Sequence, residues 1–120
     1  MAKLWLDDLR PAPNDEYRHA HTVEEAMYLI SQYEREKDWA LRQYILGHWD
    51  YERTQNFINT FSFTEISCDN DLGEYEAEGY KLLDWFEISG RNYPIHIHTD
   101  NAVARMRMKA IIQKNGWIEV

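Results

Sequence analysis

Short apolar runs that end in polar turn residues divide this chain into predicted strands and helices. The first run, residues 3–6, ends in Asp7 and Asp8, and the prolines that follow stop further strand pairing. An uninterrupted apolar run of this length is typical of a strand covered on both faces of a sheet. Similar patterns predict further strands at 16–21, 63–68, 93–99 and 117–120.

Helix signals alternate with these strands. Thr22 followed by Glu25 is a capping-box pattern, and it predicts a helix that ends near the charged residues 34–38. Further helices are predicted after Asp50, from about Gly79 to Gly90, and from Asp100 or Asn101 to Asn115–Gly116. In the last helix the predicted apolar stripe consists of Val103, Met106, Ala110 and Ile111. Regular strand–helix alternation predicts a parallel sheet with right-handed crossovers.

Residues 39–62 are rich in aromatic side chains but follow no single period. Phe57, Ile58 and Phe61 fit one helical stripe, so a second helix is expected here. Packing of these aromatic residues against the sheet is favoured, because large aromatic side chains mostly serve cores. A surface for a protein partner is the alternative for this segment.

The bulk composition bounds the class of protein. The chain has 120 residues, with 44% hydrophobic and 28% charged residues, which is ordinary for one globular domain. Its apolar runs are too short to cross a bilayer, so no membrane association is expected. A single cysteine, Cys68, and the lack of an apolar leader at the N-terminus predict a reducing, cytoplasmic location.

The net charge is −8, which argues against electrostatic capture of duplex DNA. A small phosphate ligand is compatible with this charge. Because carboxylates repel phosphate, such a ligand would need a bridging divalent cation. The acidity of the chain therefore points toward a metal.

Polar side chains follow three of the predicted strands at the point where each strand ends. If these strands are neighbours in one parallel sheet, seven side chains meet at its carboxyl edge: Asp7, Asp8, Asp69, Asp71, His98, Thr99 and Asn101. Clustered carboxylates either hold protons or bind a cation, and hard oxygen ligands suit Mg²⁺, Mn²⁺ or Ca²⁺ better than zinc. The alternative is that these residues are only turn and cap residues.

Three further side chains, His96, Arg10 and Cys68, lie close to these residues in the sequence. His98 stands nearer the strand end than His96, so His98 is the preferred acid or base. Arg10 is a candidate phosphate clamp, or alternatively a counterion of the aspartates. Cys68 is interpreted as a small buried apolar residue and not as a nucleophile.

Four sequence blocks carry a resemblance to a known family. They are residues 4–13 (LWLDDLRPAP), 66–73 (ISCDNDLG), 79–80 (GY) and 95–101 (IHIHTDN). In this order they resemble the signature of the cyclic-phosphate processing receiver-like domains, which are relatives of the response-regulator receiver. The chain departs from the usual pattern of that family at Cys68 and Asn70, where Leu and His are more common.

The resemblance implies a fold and an acidic pocket. The implied fold is α/β and receiver-like (flavodoxin-like), with a doubly wound, mostly parallel sheet of four to five strands and helices on both faces. The chain would be one domain over residues 1–120 with an aromatic-rich insertion at about 39–62. The pocket would be formed by Asp7, Asp8, Asp69 and Asp71. Asp69 matches the receiver phosphoacceptor, and Thr99 matches the hydroxyl residue of the next strand.

The function implied is metal-dependent hydrolysis of cyclic phosphate in nucleotides or RNA ends. Asp7, Asp8 and Asp69 would hold Mg²⁺ or Mn²⁺, with Ca²⁺ as a further candidate. The catalytic residues would be Asp69, Asp71 and His98, and the phosphate would be positioned by Arg10, Thr99 and Asn101. Two alternatives stay open: a receiver-like module without turnover that binds metal or is phosphorylated on Asp69, and an inert adaptor that uses residues 39–62 as its contact surface.

Overall fold

The computed structural model describes residues 1–120 and contains one parallel sheet. Its elements are, in order, β1 (Ala2–Leu6), β2 (Tyr17–Ala20), α1 (Val23–Ile45), α2 (Tyr51–Thr60), β3 (Phe63–Cys68), α3 (Tyr80–Ser89), β4 (Ile95–Ile97) and α4 (Ala102–Asn115). The strand order is β2-β1-β3-β4, and every neighbouring pair is parallel. The predicted receiver-like (flavodoxin-like) α/β fold is thereby confirmed.

Most helix boundaries lie where the sequence places them. The side chains of Thr22, Asp50 and Asn101 each accept a hydrogen bond from the backbone N–H three residues on, at 2.8–3.1 Å. Gly90 and Gly116 end their helices with φ angles of 73° and 67°, a left-handed conformation that favours glycine. The cap residues therefore determine where these helices start and stop.

The first helix is longer than predicted. It continues through residues 34–38 and ends at Ile45. Glu, Arg and Lys are good helix formers when exposed, so a charged stretch marks a solvated face and not a helix end. None of the four helices combines the length and the hydropathy that crossing a membrane requires.

The last helix and the last strand also differ from the prediction. The buried residues of α4 are Ala104, Met108 and Ile112, whereas Val103 and Met106 are exposed. Ala110 is exposed as well, so three of the four predicted stripe residues face solvent and only Ile111 packs against the core. The predicted strand at 117–120 is reduced to one bridge between Ile95 and Glu119.

The core lies on one face of the sheet. Leu4 and Leu6 of β1 form a single buried cluster with residues from three helices, including Ile30 of α1, Phe86 of α3 and Met108 of α4. After β2 the chain always moves in the same direction across the sheet, and right-handed crossovers then place every helix on the same side. The connection from β1 to β2, residues 7–16, contains no helix. The helices therefore lie on one face of the sheet and not, as expected, on both.

The opposite face of β1, β3 and the start of β2 carries polar and aromatic side chains. Trp5 packs edge-on against Tyr17, with ring centroids 5.5 Å apart, and stacks on His98. The connection 7–16 contacts this face through a hydrogen bond of 2.9 Å from Trp5 Nε1 to the carbonyl of Arg10. A loop thus reaches this face where a helix was expected.

Helices α1 and α2 form a hairpin that extends past the amino edge of the sheet. Tyr33 of α1 stacks on Phe63, the first residue of β3, with ring centroids 4.3 Å apart. The residues of α1 beyond Tyr33 pack against α2, where Phe57 contacts Trp39 and Trp49. The aromatic residues of 39–62 therefore pack mainly between two helices and not, as favoured above, on the sheet.

Glu34 connects this hairpin to the segment between α3 and β4, and replacing Glu34 should change the pH dependence of stability. Its carboxylate accepts three hydrogen bonds from Arg91, at 2.8–3.1 Å, and one from the Tyr93 hydroxyl at 2.7 Å. Burial disfavours the charged form, but these bonds outweigh it and the pKa of Glu34 is lowered from 4.5. Its stabilisation is therefore present above pH 4.5 and is lost as the pH falls through the folded-state pKa.

We expect Glu34→Gln to lower the free energy of unfolding by about 1–3 kcal/mol at pH 7 and to flatten its acid limb. Urea denaturation between pH 3 and 7 measures both effects. Glu36→Gln is the matched control, because Glu36 makes no hydrogen bond or ion pair. Equal pH profiles for the two variants would contradict the assignment.

Candidate functional site

Asp7 is the most deeply buried carboxylate of the chain and directly follows β1. Its Oδ1 accepts hydrogen bonds from the backbone N–H groups of Leu9, at 2.9 Å, and Arg10, at 2.8 Å. Its Oδ2 accepts from Arg10 Nε at 3.2 Å and lies 3.0 Å from His98 Nε2. Burial alone would raise the pKa of Asp7, but these hydrogen bonds outweigh it and the pKa is lowered. Asp7 is therefore an anion whose hydrogen bonds connect the loop after β1 to His98.

Asp69 lies beside Asp7 because β1 and β3 are neighbours. Its Oδ1 accepts a hydrogen bond from the Asn70 N–H at 2.8 Å, and its Oδ2 lies 3.7 Å from Arg10 Nη2. The structure places one ligand atom from each of Asp7, Asp69 and His98 within 4.8 Å of one another. The predicted convergence of the three strand ends is thus observed for these residues.

His98 is held on both ring nitrogens. Nε2 faces Asp7, and Nδ1 lies 2.8 Å from the Ser67 hydroxyl. Burial lowers the pKa of His98 below 6.5, although the Asp7 carboxylate opposes this shift. Burial thus favours the neutral form of the His98 imidazole. His96, its predicted competitor, points away and lies 2.8 Å from the carbonyl oxygen of Val120.

Arg10 supplies positive charge at the centre of this edge. Besides Asp7 and Asp69, its guanidinium lies 3.7 Å from Asp100 and donates to the His98 carbonyl at 3.1 Å. These contacts fit the role of a counterion of the aspartates, which is one of the two predicted roles of Arg10. Because 46% of its side chain stays exposed, it also remains accessible to a ligand.

The other predicted residues occupy different positions. Asp71 is exposed, and its carboxylate lies 3.4 Å from the Asn101 amide, so both belong to the rim. Thr99 is 1% exposed, and its hydroxyl accepts from the Asn101 N–H at 3.2 Å, which is a structural contact. Asp8 is partly buried, lies outside the group of three and has no hydrogen-bond or ion-pair partner.

Two residues that sequence reasoning did not assign hold the loop after β3 in place. Asn70 is 1% exposed; its side-chain oxygen accepts from the Tyr80 N–H at 3.2 Å, and its carbonyl accepts from the Gly79 N–H at 2.8 Å. A Cβ atom on Gly79 would lie 1.8 Å from the Asp69 carbonyl oxygen. The start of α3 thus packs directly on the backbone of the site.

Ser67 and Trp5 were likewise missed. Both lie two residues before an aspartate of the site, so they share its face of the sheet. This period-two relation to Asp7 and Asp69 was a readable signal. The first strand was expected to be covered on both faces, so its side chains were not sorted by face.

A comparison with protein families finds one match. The cyclic-phosphate processing receiver domain matches residues 42–114, which is more than half of the chain and includes Asp69, Asp71 and His98. The chain belongs to this family. The first acidic block of this receiver domain lies outside the matched range, so the place of Asp7 and Asp8 in the site depends on the geometry above. Comparisons with curated proteins and with solved structures find no match.

The donor set of this receiver domain fits a hard divalent cation. Two carboxylates and an imidazole converge, and the Asp8 carboxylate and Asp69 Oδ2 accept no hydrogen bond. Oxygen-rich sets of this kind suit Mg²⁺ and Mn²⁺, whereas no thiolate is present to favour zinc. Cys68 is fully buried, and burial raises the pKa of its thiol to about 12, so it stays protonated.

Proposed function

We propose that this receiver domain hydrolyses a cyclic phosphate, in a nucleotide or at an RNA end, with the help of Mg²⁺ or Mn²⁺. The observation that carries the proposal is the convergence of His98 with Asp7 and Asp69 around Arg10. An imidazole, carboxylates and an arginine side chain that is partly open to solvent are the groups that phosphate-ester hydrolysis uses. Membership of a family associated with cyclic-phosphate processing supports the same chemistry.

The carboxylates and the arginine have separate roles in this proposal. Asp7, Asp8 and Asp69 would hold the ion, which when bound polarises the phosphoryl oxygen and lowers the pKa of a coordinated water. Arg10, whose side chain is 46% exposed, would contact the phosphate through its guanidinium. Asn101 stands beside the rim carboxylate Asp71 and would orient the ester.

His98 would act on the leaving group. A water oxygen forms a bond to phosphorus while one ring P–O bond breaks. The doubly protonated imidazolium form of His98 gives its Nε2 proton to the departing oxygen and becomes a neutral imidazole. The proton of the attacking water passes to a rim carboxylate, for which the exposed Asp71 is the candidate. The product is a phosphate monoester.

Incubation of the purified protein with 2′,3′-cyclic nucleotides and Mg²⁺ or Mn²⁺ tests the proposal. We expect monoester product that disappears on chelation of the metal, and a melting temperature that rises with the ion, since the ion binds only the folded state. Asp69→Asn should lower turnover by roughly 10³-fold and abolish the melting shift, because one carboxylate of the site is then neutral.

Asp15→Asn is the matched control, because Asp15 is exposed and lies in the β1–β2 connection away from the cluster. This variant should behave as the wild type does. No turnover with either ion, together with no melting shift, would contradict the proposal and favour the adaptor. Stable modification of Asp69 by an acyl-phosphate mimic without turnover would instead favour the signalling module.

A further inference from the structure

Ser67 is a buried polar residue that the proposed mechanism does not use. It lies in β3 on the polar and aromatic face of the sheet, and it is 0% exposed. Its hydroxyl oxygen is 2.8 Å from His98 Nδ1, a contact between residues 31 positions apart in the chain. A serine buried at this depth cannot attack a substrate, so its contact with His98 is its only visible chemical role.

The direction of this hydrogen bond follows from the other side of the ring. An ionised carboxylate only accepts, so His98 Nε2, 3.0 Å from Asp7 Oδ2, carries the imidazole proton. In a neutral imidazole the second nitrogen is then an acceptor. The Ser67 hydroxyl therefore donates to Nδ1, and Ser67, His98 and Asp7 form one continuous hydrogen-bonded chain.

Trp5 determines the plane of the imidazole. Its ring is stacked on His98 with centroids 3.9 Å apart and an interplanar angle of 1°. The indole is itself fixed by its hydrogen bond to the Arg10 carbonyl. Rotation of the imidazole out of this plane would break the stacking and both nitrogen contacts at once.

We infer that Ser67 is a positioning residue that, together with the stacked Trp5 ring, holds His98 in one plane and in the tautomer whose Nε2–H faces Asp7. The hydrogen-bond geometry alone supports this placement, and only its effect on turnover rests on the proposed function. A hydroxyl can also accept, so Ser67 can keep a partner at Nδ1 in either protonation state of the ring.

The test compares Ser67→Ala with Ser67→Thr, which keeps the hydroxyl. ¹⁵N NMR of the imidazole should show an unprotonated, hydrogen-bonded Nδ1 in the wild type. In Ser67→Ala the Nδ1 resonance should move to the position of a nitrogen without a donor, and in Ser67→Thr it should return toward the wild-type value. With a cyclic nucleotide and Mg²⁺, Ser67→Ala should lower kcat roughly tenfold and leave KM within about twofold.

Ser62→Ala is the matched control, because the Ser62 hydroxyl donates to the Ile58 carbonyl, away from the site. It should leave both the imidazole spectrum and kcat unchanged. A protonated Nδ1 in the wild type, or an Nδ1 resonance that Ser67→Ala does not move, would overturn the inference. A moved resonance with an unchanged kcat would overturn the role of Ser67 in turnover. If the wild type hydrolyses nothing, the proposed function fails while the spectra still decide the placement of His98.

Discussion

Replacing Asp7 with alanine is expected to lower the free energy of unfolding by about 3–5 kcal/mol. The carboxylate is 0% exposed and accepts hydrogen bonds from Leu9, Arg10 and His98. Its removal leaves two backbone N–H groups and a buried imidazole without an acceptor, and it also removes the nearest anion from the Arg10 guanidinium. Urea denaturation at pH 7 without added metal measures the loss.

Asp8→Ala provides the comparison within the same dipeptide. Asp8 has no hydrogen-bond or ion-pair partner, so its removal should change the free energy of unfolding by no more than about 0.5 kcal/mol. The two variants should behave alike only in a metal titration, in which both are expected to reduce the rise in melting temperature. Equal destabilisation by the two substitutions would show that the contacts of Asp7 are not what stabilises this edge.

The second large effect is expected for Gly79→Ala. The new Cβ would lie 1.8 Å from the Asp69 carbonyl oxygen and 2.9 Å from the Asn70 Cα, both of them backbone atoms that cannot turn aside. The start of α3 and the loop after β3 must separate, at a cost of about 3 kcal/mol or more. Chemical denaturation measures this cost, and a lower metal affinity would report the displaced Asp69.

A glycine with a different requirement serves as the control. Gly47 has a φ of 80° and nothing within 4 Å of an added Cβ, so Gly47→Ala should cost only about 1 kcal/mol, through backbone conformation. If the two alanine variants were equally stable, the close packing of α3 on the site would be refuted.

The elements of this fold that local chemistry specifies could be predicted from the sequence. Caps such as Thr22 and Asn101 satisfy helix ends through their own side chains, so a few neighbouring residues are enough to place them. The meeting of Asp7 with Asp69 could also be predicted, because in a parallel sheet the strand ends share an edge.

Features that depend on packing between distant elements could not be predicted in this way. The buried side of α4 is defined by Ala104 and Met108 and not by Val103 and Met106, because the helix has apolar residues on more than one side. The end of α1 was misplaced because charge was interpreted as a boundary. The core lies on one face of the sheet because no helix connects β1 to β2. This follows from the topology of the chain and not from any local sequence pattern.

Asn70 shows how far the family pattern could be extended to this chain. Histidine is more common at this position in the family pattern, whereas Asn70 here is buried. Its side-chain oxygen accepts a hydrogen bond from the Tyr80 N–H, and its carbonyl accepts from the Gly79 N–H. An amide can accept from a backbone N–H in a space where a charged imidazole would have to be desolvated. The position is therefore structural in this chain, and the proposed acid–base chemistry rests on His98.

The length of α1 separates the acidic edge of the sheet from the exposed junction between α1 and α2. The helix begins at the carboxyl edge, where the acidic cluster lies, and its 23 residues span about 34 Å toward the other end of the molecule. At that end, the junction between α1 and α2 exposes the side chains of Ile45, Leu46 and Tyr51. A protein that bound this end of the α1–α2 hairpin would leave the acidic carboxyl edge open to solvent. Protein binding and phosphate chemistry would then use different surfaces.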